Sequence, residues 1–367
     1  MTHTISKTHH NRMRKTQTSQ RHEVTQERIA HRIVSWQKKC GRHDLPWQKN
    51  ITAYRVWVSE IMLQQTQVST VIPYFERFMK RFPQVNDLAD CSEDELMTYW
   101  AGLGYYRRAK NMHKASQIIM AEHDGSLPKT SEELISLPGI GKSTAHAILS
   151  ITYNLPHAIL DGNVKRVLAR YHGIRELVSE SSTMNRLWSI AESEMEQVEC
   201  RTYTQGIMDL GASLCLRNPI CDECPIQDGC KAHHLGLTQS IPQKKKKTIK
   251  PTKSFYCLCY IHEGRIIMEQ RSSDGIWPTL WCPPMANDLG SVKDAHRELK
   301  PFKHTLTHFH MMITPVIIRG NRPIKKDMRW FDLQSALSAG VPAAIRKILT
   351  SDKLIENTTI EMAETES

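Results

Sequence analysis

Two groups of residues have the types and spacing for chemistry. The first is Cys215, Cys221, Cys224 and Cys230, four cysteines with gaps of five, two and five residues. Thiolates at this density can hold a tetrahedral zinc or an iron–sulfur cluster. Zinc modules use two close pairs, whereas only Cys221-x-x-Cys224 is close here, which favours a four-iron cluster. The other cysteines (Cys40, Cys91, Cys200, Cys257, Cys259, Cys282) are scattered and read as structural thiols. The second group is a pair of acids. Glu60 sits in Val56-Trp57-Val58-Ser59-Glu60-Ile61-Met62-Leu63. A helix there sets Val56, Trp57, Leu63 and Gln64 on its face. Apolar surroundings disfavour the carboxylate, so such a group keeps its proton and can serve as a general acid. The alternative is a surface glutamate, or one salt-bridged to a distant arginine. Asp161 follows Ile159-Leu160 and precedes Gly162-Asn163. It suits a helix N-cap, a position that can still present one oxygen outward. Two acids in unlike environments are the arrangement that hydrolysis of a glycosidic bond requires.

Between these acids lies Leu137-Pro138-Gly139-Ile140-Gly141-Lys142-Ser143. A Pro-Gly-x-Gly turn between two helices brings backbone amides to a helix N-terminus, where they can hold a phosphate. An ordinary helical turn is the competing reading. Gly139, Gly141, Lys142 and Ser143 are thus candidate contacts to a nucleic-acid backbone. Lys165, Arg166 and Arg170 are further candidates, against the alternative of a solvated helix face. Gln65 and Thr66, and Leu103 with Tyr105, carry amide and aromatic groups that could stack on or wedge between bases. For Tyr105 simple core packing is the alternative. The net charge of +11 points the same way, toward a polyanionic partner.

The elements that position these residues change character along the chain. Residues 1–22 read as a basic disordered tail, or as a transit-like segment. Residues 23–233 read as all-α, with helices predicted over Glu23–Cys40, Tyr54–Val68, Val71–Arg81, Glu93–Trp100, Tyr106–Glu122, Lys142–Tyr153 and Asn163–Tyr171. A capping box at Thr130-Ser131-Glu132-Glu133 opens another helix to Leu137, and two more lie near Met184–Val198 and Thr204–Leu214. The cysteine loop spans 215–230. Residues 234–253, with Lys244–Lys247, form a basic linker. Phe255–Ile261, Arg265–Met268 and Met312–Ile318 then alternate as strands, so 254–350 is predicted as an α+β domain of typical size. Residues 351–367 read as an acidic tail. No transmembrane run occurs, so a membrane partner is not expected. Ten cysteines in a long chain without a secretory segment fit a reducing, cytoplasmic compartment.

Together these motifs resemble the helix-hairpin-helix DNA glycosylases, most closely the branch that removes adenine mispaired with 8-oxoguanine. The resemblance covers about residues 25–350 and rests on Leu45-Pro46-Trp47, Ser59–Gln67, Gly102–Tyr106, Leu137–Gly141, Ile159–Arg166 and the four cysteines. It implies an all-α glycosylase domain with a 4Fe-4S cluster loop, followed by a Nudix-like (MutT-like) domain. It implies that Glu60 protonates adenine at N7, that Asp161 stabilises an oxocarbenium ion and that Asn163 orients the site. Trp47, Gln65, Thr66, Leu103 and Tyr105 would meet the duplex. The partner would be double-stranded DNA containing adenine opposite 8-oxoguanine or guanine, bound by a monomer. Ser143 stands where the endonuclease III branch carries a lysine nucleophile, so little or no cutting of the abasic strand is implied. The Nudix-like domain lacks the magnesium-binding acidic run, since Arg297-Glu298 is followed by Leu299-Lys300. It should read DNA, through His304–His310, with Thr307 and His308 at the centre. That loop carries Leu306-Thr307-His308 where the family has Phe-Ser-His, and the Cys215–Cys221 gap is one residue short. The competing expectations are a lyase acting on oxidised pyrimidines and a non-catalytic binder of damaged DNA.

Overall fold

The computed structural model describes residues 28–243, 249–272, 274–290, 296–320, 324–356 and 358. The predicted basic tail and Lys244–Lys247 lie outside the described residues. The helical part comprises α1 (Ile29–Cys40), α2 (Ala53–Leu63), α3 (Val68–Arg81), α4 (Val85–Asp90), α5 (Glu93–Trp100), α6 (Arg107–Glu122) and α7 (Ser131–Ser136). It continues with α8 (Lys142–Tyr153), α9 (Gly162–His172), α10 (Ser181–Glu194), α11 (Cys200–Ser213) and the short α12 (Lys231–His234).

Local chemistry explains several boundaries. Ser92 caps α5 by accepting from the Glu95 amide, and three acids fill the first turn, where they meet the positive end of the helix dipole. Thr130 caps α7, accepting from the Glu133 amide and donating to the Glu133 carboxylate at 2.6 Å. Gly173 closes α9 with φ +65°, a conformation that costs glycine nothing sterically. α2 is apolar almost all round and buries Tyr54, Val56, Trp57, Val58, Ser59, Ile61 and Met62. A helix of that kind belongs in the middle of a domain. α11 packs against α1, α8 and α9.

The helix expected to run from Tyr54 to Val68 is in fact broken. α2 stops at Leu63, Gln65 turns to φ +58° and Val68 starts α3. The reason lies elsewhere in the chain: the Arg108 guanidinium takes the carbonyls of Ile61, Met62 and Gln64. A propensity reading cannot see that cation. The short α4 also went unforeseen.

The second part is a mixed sheet with helices on it. Its strands are β1 (Thr252–His262), β2 (Arg265–Gln270), β3 (Trp281–Cys282), β4 (Met285–Ala286), β5 (His296–Glu298), β6 (Phe302–Thr305), β7 (His310–Arg319) and β8 (Met328–Asp332). β1 and β7 pair in parallel from Thr252↔His310 to Ile261↔Arg319, at the centre of the order β3-β2-β1-β7-β5. β6 and β7 form an antiparallel hairpin whose tip carries Leu306–Phe309. α13 (Leu333–Ser338) and α14 (Ala343–Leu349) follow. The fold continues past residue 350: residues 352–356 are helical and Leu354 is fully buried.

The two parts touch at α5. Gln270 Nε2 donates to Asp94 at 2.5 Å, and a side-chain methyl at Gly340 would come within 2.9 Å of Met97 Cβ. Gly206 plays the same part within the helical domain. A Cβ there would stand 2.8 Å from Ile33 Cγ2 and 3.1 Å from Gln37 Cβ, so its absence lets α11 lie against α1. Gly206→Ala is expected to cost about 1–3 kcal/mol through overpacking, read as a lower midpoint in urea denaturation.

Candidate active site

Glu60 projects from the middle of α2, and Asp161 caps α9. Both line one pocket of about 690 Å³, together with Asn163, Ser143, Gln65, Thr66 and Trp47. The fold therefore brings together two acids separated by a hundred residues of sequence. Glu60 keeps some contact with solvent in the pocket, but protein atoms surround its carboxyl. Burial, and then the charge of Asp161, push its pKa up to about 8. Asp161 is raised as well, by burial, while the amides of Val164 and Asn163 and the Arg166 guanidinium pull it back. Its Oδ1 accepts from the Val164 amide at 2.7 Å. Two carboxyls near each other and largely surrounded by protein cannot both ionise cheaply. The one with amide donors is the one whose charge is supported.

Several side chains hold the segment that delivers Asp161. Ser143 Oγ accepts from the Leu160 amide at 3.1 Å. His146 sits between the two hairpin helices, with Nδ1 2.6 Å from the Ala158 carbonyl and Nε2 3.1 Å from Ser131 Oγ. That pattern requires the Nδ1–H tautomer, with Nε2 accepting from the serine. Burial lowers the pKa of His146, in keeping with a neutral ring. Asn163 Oδ1 accepts from Arg166 Nη2 at 2.8 Å, and the same guanidinium reaches the carbonyls of Gly211 and Cys215.

Arg166 and Arg170 are consequently not contacts for phosphate. Arg170 is buried and donates to the carbonyls of Ile241, Leu216 and Arg217 and to Cys215 Sγ at 3.3 Å. Both arginines tie α9 to the cysteine loop. Lys142 is engaged too, with Glu192 at 2.9 Å and over the Trp188 ring at 4.1 Å. Lys165 stays near enough to lower the pKa of Asp161. Gly139 and Gly141 are exposed at the hairpin, Gly139 at φ +82°, and no side chain caps α8. The first-turn amides of α8 thus face outward.

Cys215, Cys221, Cys224 and Cys230 line a single small cavity of about 20 Å³ roofed by Pro219, Ile220 and Ile226. Burial raises Cys224 to about 11 and raises Cys230, while the amide of Ile226 at Cys224, and those of His233 and Ala232 at Cys230, act the other way. Amides aimed at sulfur favour thiolates. Among the described residues no three His, Cys, Asp or Glu side chains stand close enough to grip a single metal ion.

A second pocket, of about 860 Å³, lies where the helical and sheet parts meet. Gln65, Tyr105 and Gly139 line it from one side, and Thr307 and His308 from the other. Tyr105 is 46% exposed at φ +49°, so it projects rather than packs. Leu103 differs from expectation: it is buried in the helical core. Trp47 is also mostly core, edge-on to Phe75 at 5.5 Å, with one face on the acid pocket.

The chain matches the HhH-GPD superfamily base excision DNA repair protein family over residues 58–193 and the NUDIX domain family over 255–351. It is 38% identical to the adenine DNA glycosylase of Buchnera aphidicola subsp. Acyrthosiphon pisum over 337 residues, covering 88% of this chain and 96% of that one. It is likewise 38% identical to the Homo sapiens adenine DNA glycosylase, over 86% of this chain and 72% of the relative. The chain belongs to the adenine DNA glycosylase family. Among solved structures, a thermostable thymine-DNA glycosylase shares the helical fold, with TM-score 0.50 and 24% identity over 56% of this chain and 95% of that one. As a member of the adenine DNA glycosylase family, the chain is a DNA glycosylase enzyme of base excision repair, built as a helix-hairpin-helix domain followed by a Nudix-like domain.

The residue that sequence reasoning missed outright is Arg108. Its guanidinium reaches six oxygens: three carbonyls at the end of α2, Thr66 Oγ1 at 3.3 Å, and the carbonyls of Leu103 and Gly104 at 3.4 and 3.2 Å. Nothing in Arg107-Arg108 marks one arginine as internal. Arg108→Met should destabilise the domain by at least about 3 kcal/mol, since several buried carbonyls lose a partner at about 1 kcal/mol or more each. Urea denaturation measures the loss, and hydrogen exchange should accelerate first in residues 61–66.

Proposed function

We propose that this chain hydrolyses the N-glycosidic bond of adenine lying opposite 8-oxoguanine or guanine in duplex DNA, and leaves the strand intact. The observation that carries the proposal is the unequal acid pair: Glu60 with its pKa near 8 and Asp161 held among amide donors, on one pocket. The bond is shielded inside a duplex, so the adenine must leave the stack and enter the pocket. Glu60 donates its proton to N7 of the flipped base. Protonation makes adenine a neutral leaving group, and the carbon–nitrogen bond breaks toward an oxocarbenium ion. Asp161 stabilises that cation with its charge, and water adds at C1′, its released proton returning to the Glu60 carboxylate left by the first step. Asn163, fixed by Arg166, borders the same space. The outward amides at Gly139–Ser143 hold a phosphate of the adenine strand, and Lys165 adds charge nearby. A serine hydroxyl forms no Schiff base, and Ser143 is already committed to the Leu160 amide. That leaves the reaction at the abasic sugar.

Gln65 and Tyr105 face the second pocket across from Thr307 and His308, which supports an opposite-base site there, while Thr66 lines the acid pocket. The lesion partner is read at the hairpin between β6 and β7. A single chain supplies both pockets, so a monomer suffices.

The four cysteines fit a 4Fe-4S cluster. They line one small apolar cavity, and backbone amides at Cys224 and Cys230 favour the thiolate there; the single close pair Cys221-x-x-Cys224 favours the cluster over zinc. When bound, the cluster supplies structure to this loop and no hydrolytic step. Arg166 and Arg170 then join the loop to α9, and hence to Asp161. A protein purified without air should be brown with absorbance near about 400 nm, and chelation should remove colour and duplex affinity together. A colourless, zinc-containing, active protein would reverse the assignment.

The direct test is single-turnover release of adenine from a duplex holding adenine opposite 8-oxoguanine, read as alkali-labile strands. Asp161→Asn is expected to lose release by at least about a thousandfold while still binding duplex. Turnover kept in that variant sinks the assignment of Asp161. Strand scission without alkali, with borohydride trapping, would favour a lyase instead.

The pH dependence has a definite sign. Glu60 acts as an acid, so release should fall as pH rises through about 8. The same shift bears on stability. A neutral Glu60 contributes fully below its unfolded pKa of about 4.5, and that contribution is lost as pH rises to about 8. Glu60→Gln should therefore be nearly inactive yet melt higher than wild type at pH 8, with the difference vanishing near pH 4. Equal melting temperatures at both pH values would show that Glu60 is not desolvated.

A further inference from the structure

The sheet domain meets the helical domain through a turn held in an unfavourable conformation. Thr279 has φ +64° and Trp277 has φ +55°. A β-branched residue at positive φ is a backbone outlier, sustained only where surrounding contacts over-determine it. Here those contacts reach into the other domain. The Thr279 hydroxyl lies 2.9 Å from Glu93 Oε1 at the start of α5, and 2.7 Å from its own neighbour's carbonyl at Pro278. Lys110 of α6 pairs with the same Glu93 oxygen at 2.8 Å. On the other side, Gln270 Nε2 bridges the Thr279 carbonyl at 3.4 Å and Asp94 at 2.5 Å. The Thr279 amide is held within its own domain by the carbonyls of Arg271 and Ser272.

The turn also touches the hairpin. The Trp277 ring is buried and stands 5.7 Å from the ring of His304, on β6. Trp277, Pro278 and His304–His308 line the interdomain pocket together with Gln65 and Tyr105. A continuous path therefore runs from Glu93 through Thr279 and Trp277 to His304 and the hairpin tip. Glycine would hold this backbone at no steric cost. What threonine adds at position 279 is the hydroxyl aimed at Glu93.

We propose that Thr279 is a positioning residue for opposite-base discrimination. Its contact with Glu93 sets where the hairpin carrying Thr307 and His308 stands relative to Gln65 and Tyr105. The inference rests on the hairpin being the reader of the opposite base. It separates two effects that usually go together. Loss of the contact lets the hairpin drift and weakens discrimination, while loss of the side chain relieves the backbone.

The experiment compares wild type, Thr279→Gly, Thr279→Asn and His308→Ala. For each, single-turnover adenine release is measured on duplexes with 8-oxoguanine or guanine opposite, together with the melting temperature. Thr279→Gly should melt no lower than wild type, yet its preference for 8-oxoguanine should fall by about tenfold, the size of one hydrogen bond to a charged group. Thr279→Asn should restore the preference, because asparagine tolerates the left-handed region and its amide can donate to Glu93. Preference lost in His308→Ala but kept in Thr279→Gly overturns this inference alone. So does parallel slowing on both duplexes in Thr279→Gly, or failure of Thr279→Asn to rescue. Preference unchanged in His308→Ala overturns the hairpin reading and this inference with it.

Discussion

One guanidinium holds the centre of this molecule. An α-helix ends with carbonyls that its own backbone cannot satisfy, and its C-terminus attracts a cation. Arg108 serves both needs for α2, and does so within a few residues of Glu60. By stopping α2 at Leu63 it releases Gln64–Gln67 from the helix and turns Gln65 outward. By taking the carbonyls of Leu103 and Gly104 it fixes a second loop beside the first, and the ring of Tyr105 lies under the same cation at 5.5 Å. The acid pocket and the interdomain pocket are thus two sides of one clasp. Burial lowers the pKa of Arg108 only to about 10, so its charge persists at neutral pH.

The acids are governed by a different constraint. α2 is buried on nearly every face, so any ionisable group on it meets the cost of desolvation. Burial raises the pKa of Glu60 to about 8, which favours its neutral form. Asp161 is placed at a helix N-terminus instead, where amides support charge. Environment alone thus gives two like side chains different tendencies to ionise. The segment that delivers Asp161 is pinned by Ser143 and His146, and its helix is anchored by Arg166 and Arg170 to the cysteine loop. Basic residues that look like DNA contacts in the linear chain are partly spent on this internal scaffold.

Much of the architecture was legible beforehand. α5 and α8 were read to the residue, and β1, β2 and β7 were placed with one to three residues missing at their ends, because apolar period and capping residues act locally. The failures share a cause. The sequence pattern extends α2 to Val68, aims Leu103 at DNA and offers Arg166 and Arg170 to phosphate. In each case the deciding partner is more than forty residues away or the burial depends on packing. Polar composition after residue 350 points to a tail, whereas Leu354 is buried there.

The linear chain was sufficient for residue chemistry. Four clustered thiols, two acids with unlike neighbours and a Pro-Gly-x-Gly turn are properties of composition and short spacing, and they point to the same class of enzyme in any rendering of the chain. The tertiary structure decided what those residues experience. A pKa depends on the atoms around a carboxyl, so the difference between Glu60 and Asp161 appears only once α2 is buried and α9 is capped. The same holds for the meeting of Gln65 and Tyr105 with Thr307 and His308 across two domains. Long-range contact is a product of the whole fold, and no window of sequence contains it.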